Sequence, residues 1–251
     1  MSDDASDLSD ASDLSEVSEV SEVPDASGAS DELRAFRAAL RELRVWDTDL
    51  PAFDPADVPD VPLALFHQWF GEAVAAGQAE PHAMTLATAD AEGRPDVRTL
   101  LLHDADEHGW HFASHATSAK GRQLAARPWA ALGFYWPARG RQIRVRGVVG
   151  AAAPEESRAD LGVRSTGALA AALTGRQSEV LGSTEELARA SQAAWERAAA
   201  EPDAPVPTWT RYVLAADEVE FFQGDARRRH VRLRYRRTAP GGGWSRELLW
   251  P

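Results

Sequence analysis

The sequence predicts a mainly β fold with flanking helices, preceded by an acidic tail. Three observations carry this. Four short β-type runs crowd the middle of the chain, at 83–89, 97–103, 110–114 and 130–135. Alternating runs return near the C-terminus, at 211–223, 230–237 and 244–249. Helical spacing is confined to segments before or between these runs.

Taken in order, residues 1–33 hold 11 acidic residues and no Lys or Arg. They leave 28 of the 39 acidic residues to face all 27 basic ones, so the net charge of −12 belongs to the tail and the rest stands at −1. Such a segment buries too little apolar surface to order itself. The predicted organisation is a disordered tail at 1–30, a helical segment and linker at 31–78, and one β domain at 79–251. The chain has no cysteine, which removes disulfides and thiolate metal sites; no metal is expected. No apolar run approaches the roughly 20 residues that span a bilayer, and no basic-then-apolar leader opens the chain. A soluble cytoplasmic protein, with no membrane partner, is expected.

Residues 31–45 carry Leu33, Phe36, Leu40 and Leu43 on one helical stripe, and 46–62 is an Asp- and Pro-rich linker. Residues 63–76 form a second amphipathic helix whose Trp69 and Phe70 read as core. The first three β runs are separated by Asp90-Ala91-Glu92-Gly93 and by the Asp- and Gly-bounded stretch 104–109. That chemistry predicts consecutive antiparallel strands. Ser118 can cap a helix over 118–126, with Lys120 in its first turn. Residues 142–152 form a strand with Arg144 and Arg146 on one face. Residues 154–163 and 165–173 are helical. Ser183-Thr184-Glu185-Glu186 is a capping box opening a helix to about Ala200. The C-terminal strands follow, with Gly241-Gly242-Gly243 as the last turn.

Two clusters carry chemistry. The helix start at Ser118 offers free N–H groups and a positive dipole end to an anion, and Lys120 and Arg98 can add cations. Set against this is the ordinary fate of Lys and Arg, a solvated surface. The second cluster is 227–237, with seven arginines. Its period is two: Val231, Leu233 and Tyr235 point one way, and Arg228, His230, Arg232, Arg234 and Arg236 the other. That is a half-buried strand with a cationic face. Because the chain beyond the tail is near neutral, a nucleic-acid partner is not expected.

The order of these pieces is specific. Glu80-Pro81 precedes Ala83-Met84, then Gly93-Arg94-Pro95, Arg98 leading Leu100-Leu101-Leu102, and Ser118 with Lys120-Gly121. Phe134-Tyr135-Trp136, Arg141-Gln142, Arg176-Gln177-Ser178, Val219-Glu220-Phe221 and the run from Arg228 through His230 to Arg232-Leu233 follow. Over about two thirds of the chain this resembles the pyridoxamine 5'-phosphate oxidase family, flavoenzymes of the dimeric FMN-binding split β-barrel fold. The resemblance implies FMN held between two subunits of a homodimer. It assigns Arg98, Lys120 and Ser178 to the FMN phosphate and ribityl end and the backbone of Thr99, Leu100, Leu101 and Leu102 to the ring, and counts His103 among the cofactor-binding and substrate-binding residues. Ser114 stands where the family has a hydroxyl. Gln142 reaches the partner's flavin, Gln177 lies nearby, and Arg232 touches the ring. Phe222 stands where the family usually has Trp, and Ala113 and Ala119 replace a common Tyr and Arg. Arg228 and His230 are the implied catalytic pair facing substrate.

On the substrate side the family holds a phosphate with Lys, Tyr, Arg and Ser. The matching positions are His103, Asp160, Arg164 and Ala168, so of these only Arg164 survives, and a carboxylate weakens an anion site. Phe112, Ser114, His115, Ala116, Ser118 and Lys120-Gly121, with Pro128-Trp129-Ala130 and Arg176-Gln177-Ser178-Glu179, also resemble the flavin oxidases of phenazine biosynthesis. The implied activity is an FMN-dependent oxidase that passes a hydride from a small (hetero)aromatic or amine substrate to flavin, with dioxygen as final acceptor. Its substrate is a vitamin B6 phosphate or a secondary metabolite such as a reduced phenazine-like ring. The alternative is a flavin- or haem-binding split barrel without turnover.

Overall fold

A computed structural model describes residues 31–46 and 49–251; the predicted tail at 1–30 lies outside them. The chain divides into two compact units, at Val45/Trp46. In the first, Asp31–Glu42 forms α1, three residues shorter than predicted. Asp31 and Glu32 complement its N-terminal dipole, and Leu33, Phe36 and Leu40 are exposed.

The second unit runs α2 (Pro62–Ala75), β1 (Ala83–Ala89), β2 (Pro95–Leu101), β3 (Asp104–Asp106), β4 (Gly109–His115), α3 (Ala119–Ala126), β5 (Trp129–Trp136) and β6 (Arg141–Ala151). It continues with α4 (Pro154–Gly162), α5 (Thr166–Thr174), α6 (Thr184–Ala200), β7 (Trp209–Gln223), β8 (Val231–Arg237) and β9 (Trp244–Leu249). The strands form one antiparallel sheet in the order β2-β1-β5-β6-β7-β4-β3, with β8 and β9 branching from β7. β7 does the splitting. Its residues 209–214 pair with β4, while 218–223 pair with β8. β6 follows β7 throughout, with a bulge at Arg146/Gly147 where the two halves diverge. This is a split β-barrel.

The barrel is filled by residues alternating inward along each strand, Leu132, Phe134 and Trp136 on β5 and Ile143 and Val145 on β6 among them. α2 closes one end. Phe66 meets Phe134 and Trp110 edge to face at 5.2 and 5.6 Å, and Trp69 meets Phe221 at 5.2 Å. The Arg141 guanidinium sits 4.1 Å over Trp69 and bonds Glu72 at 2.7 Å. Trp69 is core, as predicted. α4, α5 and α6 pack a second small cluster around Leu161, Leu169 and Ala198.

Two predictions are corrected. The stretch 104–109 is not a plain turn between the second and third runs. Asp104–Asp106 forms its own strand and pairs with β4 through a turn at Glu107-His108. β2 therefore pairs only with β1 and stands at the sheet edge. Its outer residues Val97 and Leu101 are exposed. The arginine strand also starts later than predicted, because Arg228 lies in a turn with φ +63° and β8 begins at Val231. Strand periodicity therefore does not place Arg228. The strand arginines pair with carboxylates instead of forming a free cationic stripe. Arg144 and Arg232 clasp Glu220, Arg236 and Arg146 reach Glu218, and Arg234 joins Glu218 to Glu247.

Candidate functional site

The first group of predicted residues forms at the start of α3. Ser118 caps the helix: its Oγ accepts from the Gly121 N–H at 3.2 Å and donates to the His115 carbonyl at 2.7 Å. Gly121 is required here, since a Cβ would stand 2.3 Å from the Ala116 carbonyl oxygen. The tight approach turns Lys120 inward, where it is only 6% exposed. Its ammonium donates to Ser114 Oγ (3.2 Å) and Gln177 Oε1 (2.9 Å), and Ser114 Oγ donates to the same Gln177 oxygen at 3.0 Å. The Ala119 N–H donates to Ser178 Oγ at 3.2 Å. Ser178 sits at φ +73°, a conformation costly for a residue with a Cβ. Arg98 crosses from β2 and donates to the Leu86 carbonyl, Thr88 Oγ1 and Gln123 Oε1, with Asp96 as ion-pair partner. Burial lowers the Lys120 pKa, and the Arg98 charge lowers it further against the pull of Asp96. His115 is lowered too, by burial and by the Lys120 charge. Among the described residues Lys120 has no ion-pair partner. A buried ammonium held by neutral oxygens beside a second cation is a site short of an anion.

The second group is a row across three strands. Gln142 stands opposite Phe222, and Phe222 opposite Arg232, so the three share one face. His230 packs on Phe222 at 5.1 Å between ring centroids. Its Nδ1 accepts the Asp225 N–H at 3.1 Å, so the neutral ring carries its proton on Nε2. Arg232 donates to both oxygens of Glu220, at 2.8 and 3.2 Å. Within one copy of the chain this row lies at the far end of β7 from Ser114, which pairs with Thr210.

The third group comprises the positions matched to the family's substrate phosphate. Arg164 bonds both oxygens of Asp160 at 3.1 and 2.8 Å and also touches His103 Nδ1. His103 Nδ1 lies 3.6 Å from Asp160 Oδ1, and the Trp209 indole donates to Asp160 at 3.2 Å. Burial raises the Asp160 pKa, but hydrogen bonds from His103, Arg164 and Trp209 outweigh it and hold the carboxyl well below its usual range. Three of the positions matched to the family's phosphate set thus meet in space, but the surviving cation is already neutralised. Leu100, Ser114, Gln177, Arg164, Ala168 and Trp209 line one cavity of about 530 Å³, which joins the first group to the third. Thr99 and Gln142 line a separate groove of about 330 Å³. Leu101 is exposed on the edge strand.

Residues 70–198 match the sequence profile of pyridoxamine 5'-phosphate oxidase. The chain belongs to the pyridoxamine 5'-phosphate oxidase family. Residues 209–251 match the pyridoxine 5'-phosphate oxidase C-terminal dimerisation region. A pyridoxine/pyridoxamine 5'-phosphate oxidase of Pseudomonas fluorescens SBW25 is 46% identical over 199 residues, covering 78% of this chain and 91% of that protein. One from Azotobacter vinelandii is 43% identical over 198 residues with the same coverage. Among solved structures, PhzG from Burkholderia lata 383, in complex with tetrahydrophenazine-1-carboxylic acid, superposes with TM-score 0.74 at 31% identity, covering 81% of this chain and 99% of that one. An FMN-binding protein of Nostoc punctiforme shares the fold, with TM-score 0.61 at 22% identity over 74% of this chain and 97% of that one.

As a member of the pyridoxamine 5'-phosphate oxidase family the chain is an oxidase, which sets aside the alternative of a barrel without turnover. No helix among the described residues is long and apolar enough to cross a membrane. Sequence reasoning missed three residues that support the site. Thr88 and Gln123 orient Arg98, and Gln123 was findable as the residue one helical turn after Lys120. Trp46, in the linker, packs on His230, and no periodicity pointed to it.

Proposed function

We propose that this oxidase binds FMN between two copies of the chain and oxidises a reduced (hetero)aromatic ring that carries no phosphate. The observation supporting FMN is the buried Lys120 ammonium, which meets only neutral oxygens beside Arg98. A phosphate monoester fits that concentration of positive charge. Lys120 and Arg98 neutralise it, while Ser114, Gln177 and Ser178 supply hydrogen-bonding groups around it. The row of Gln142, Phe222 and Arg232 from a second copy covers the ring, in keeping with the dimerisation region at 209–251. The chemistry FMN supplies when bound is acceptance of a hydride equivalent and return of the electrons to dioxygen. The chain's own part is to bind, orient and exclude water. Arg228 orients an anionic substituent, and His230 offers a proton at Nε2.

The substrate reading rests on Arg164. A guanidinium already bonded to Asp160 on both oxygens has little charge left for a substrate phosphate, and Asp160 repels one. Vitamin B6 phosphate is the second reading, favoured by the 46% identity to a pyridoxine/pyridoxamine 5'-phosphate oxidase. One assay separates them. The purified full chain is expected to be yellow, with one FMN per protomer, and slow on pyridoxine 5'-phosphate relative to a dihydrophenazine carboxylate. The triple variant His103→Lys/Asp160→Tyr/Ala168→Ser raises kcat/KM on pyridoxine 5'-phosphate at least about tenfold, the scale of one recovered charge-assisted contact. Fast turnover of pyridoxine 5'-phosphate by the unaltered chain would reverse the substrate reading. A colourless protein that takes up no FMN would end both.

A further inference from the structure

Trp46 shows three features together. Its backbone sits at φ +58°, a conformation costly for a residue with a Cβ. Its indole Nε1–H is buried and has no hydrogen-bond partner. Its ring lies edge-on to His230, 5.0 Å between centroids, and 6.1 Å from Phe222. The indole rests against Gly224, where a Cβ would stand 2.9 Å from its Cε2. A strained backbone that aims a large ring at one place, with a donor left over, calls for an explanation.

The neighbours supply one. Arg228 also holds a positive φ, +63°, and its guanidinium carbon lies 6.0 Å from the Trp46 ring centre. Among the described residues that guanidinium has no carboxylate partner, unlike the strand arginines, which pair with Glu218, Glu220 and Glu247. Asp225 is taken by Arg229 at 3.7 Å, and its backbone N–H by His230 Nδ1. His230 in its neutral form therefore presents N–H, not a lone pair, at Nε2. Three nitrogen donors thus lie near one another, the Trp46 Nε1–H and the His230 Nε2–H on rings that meet each other and Phe222, and the Arg228 guanidinium beside the Trp46 ring. Among the described residues no acceptor is bonded to the Trp46 N–H or to the Arg228 guanidinium.

We propose that Trp46 is a specificity-determining residue that borders a flat substrate ring and donates its indole N–H to an anionic oxygen, a carboxylate, carried on that ring's edge. This deepens the reading of the site as one for a ring without phosphate, and rests on it. Arg164, neutralised by Asp160, no longer anchors a substrate anion. The anion-binding function has moved to the far end of β7, where Arg228 supplies charge and Trp46 a directional donor. A charged acceptor suits an orphan indole N–H, because a hydrogen bond to an ion is worth more than one between neutral groups. The ring suits the aromatic surroundings of His230 and Phe222.

Equilibrium dialysis on the purified full chain tests this, with two stable probes: phenazine-1-carboxylate and unsubstituted phenazine. The unaltered chain is expected to prefer the carboxylate at least about tenfold. Trp46→Phe keeps a ring and loses the N–H. It should weaken phenazine-1-carboxylate about tenfold, as one charged hydrogen bond requires, and leave phenazine within about twofold. Trp46→Ala should weaken both. Two results would overturn the inference: no preference for the carboxylate in the unaltered chain, or Trp46→Phe binding it as tightly as before. Flavin content, measured on the same samples, judges the FMN reading separately. A yellow chain with unchanged Trp46→Phe binding sinks the role of Trp46 alone.

Discussion

At the scale of single residues, Asp160 shows how one substitution redirects a site. Its carboxylate is largely buried and satisfied by Arg164, His103 and Trp209, whose hydrogen bonds hold its pKa well down despite burial. The sign follows from linkage. A carboxylate whose folded pKa is depressed contributes its full stability above its ordinary pKa of about 3.9 and loses it as pH falls toward the folded value. Asp160→Asn removes one partner of a buried pair and should cost about 3 kcal/mol at neutral pH. The gap to the unaltered chain should narrow by about 1 kcal/mol near pH 3, where the unfolded carboxyl is mostly protonated. Urea unfolding at the two pH values reads this directly; a gap that is constant or widens on acidification contradicts the pairing. Residues of this kind were legible by type but not by partner. His103 and Asp160 stood out against the family pattern and Arg164 as what remained of it, yet nothing in their spacing said that the three would bond to one another. Lys120 was harder. Composition favours a solvated lysine, and its burial follows from the close approach at Gly121, a tertiary fact.

At the scale of elements, periodicity read well where one face is buried and badly where it is not. β1 falls where its alternation placed it, and α3 starts at the predicted Ser118 cap. β3 was hidden because three residues of Asp-Ala-Asp carry turn chemistry and no apolar alternation. Its strand character comes from pairing with β4. Arg228 was misplaced for a related reason: the alternation in 228–236 continues past the true strand end, and the turn bonded by Asp225 stops it. α3 offers the sharpest test at this scale. Its N-terminus presses so closely on residues 115–116 that Gly121→Ala must push the helix or the loop aside, with the Cβ 2.3 Å from the Ala116 oxygen. Overpacking of this sort costs about 1–3 kcal/mol. Because Lys120 and the Ala119 N–H move with the helix, FMN affinity should fall at least about tenfold in the same variant. Gly162→Ala is the control, since nothing lies within 4 Å of its added methyl. Thermal melts and FMN titration together decide; normal FMN affinity in a destabilised Gly121→Ala would detach α3 from the cofactor.

At the scale of the whole molecule, the separation of the two groups is the informative fact. Ser114, Lys120 and Gln177 gather at one end of β7, while Gln142, Phe222 and Arg232 form a row at the other. A strand of 15 residues extends about 3.3 Å per residue, so one flavin does not readily touch both ends of it within a single copy. The barrel was legible through the resemblance, which also assigned Gln142 to the partner's flavin, but not the strand order, nor that Phe222 and Arg232 would join Gln142 in one row. If each site takes its first group from one copy and its row from the other, then two defective variants should repair each other. Lys120→Met spoils the first group. Gln142→Ala/Phe222→Ala spoils the row. Each homodimer alone should bind little FMN. Co-expressed at equal levels, about half of the dimers are mixed, and each mixed dimer holds one site with both halves intact and one with both spoiled. The preparation should then regain about a quarter of the unaltered FMN content, and the intact sites should show unaltered affinity. Sites built within a single copy allow no repair at all, so co-expressed protein with no more flavin than the separate variants would place both groups in one chain.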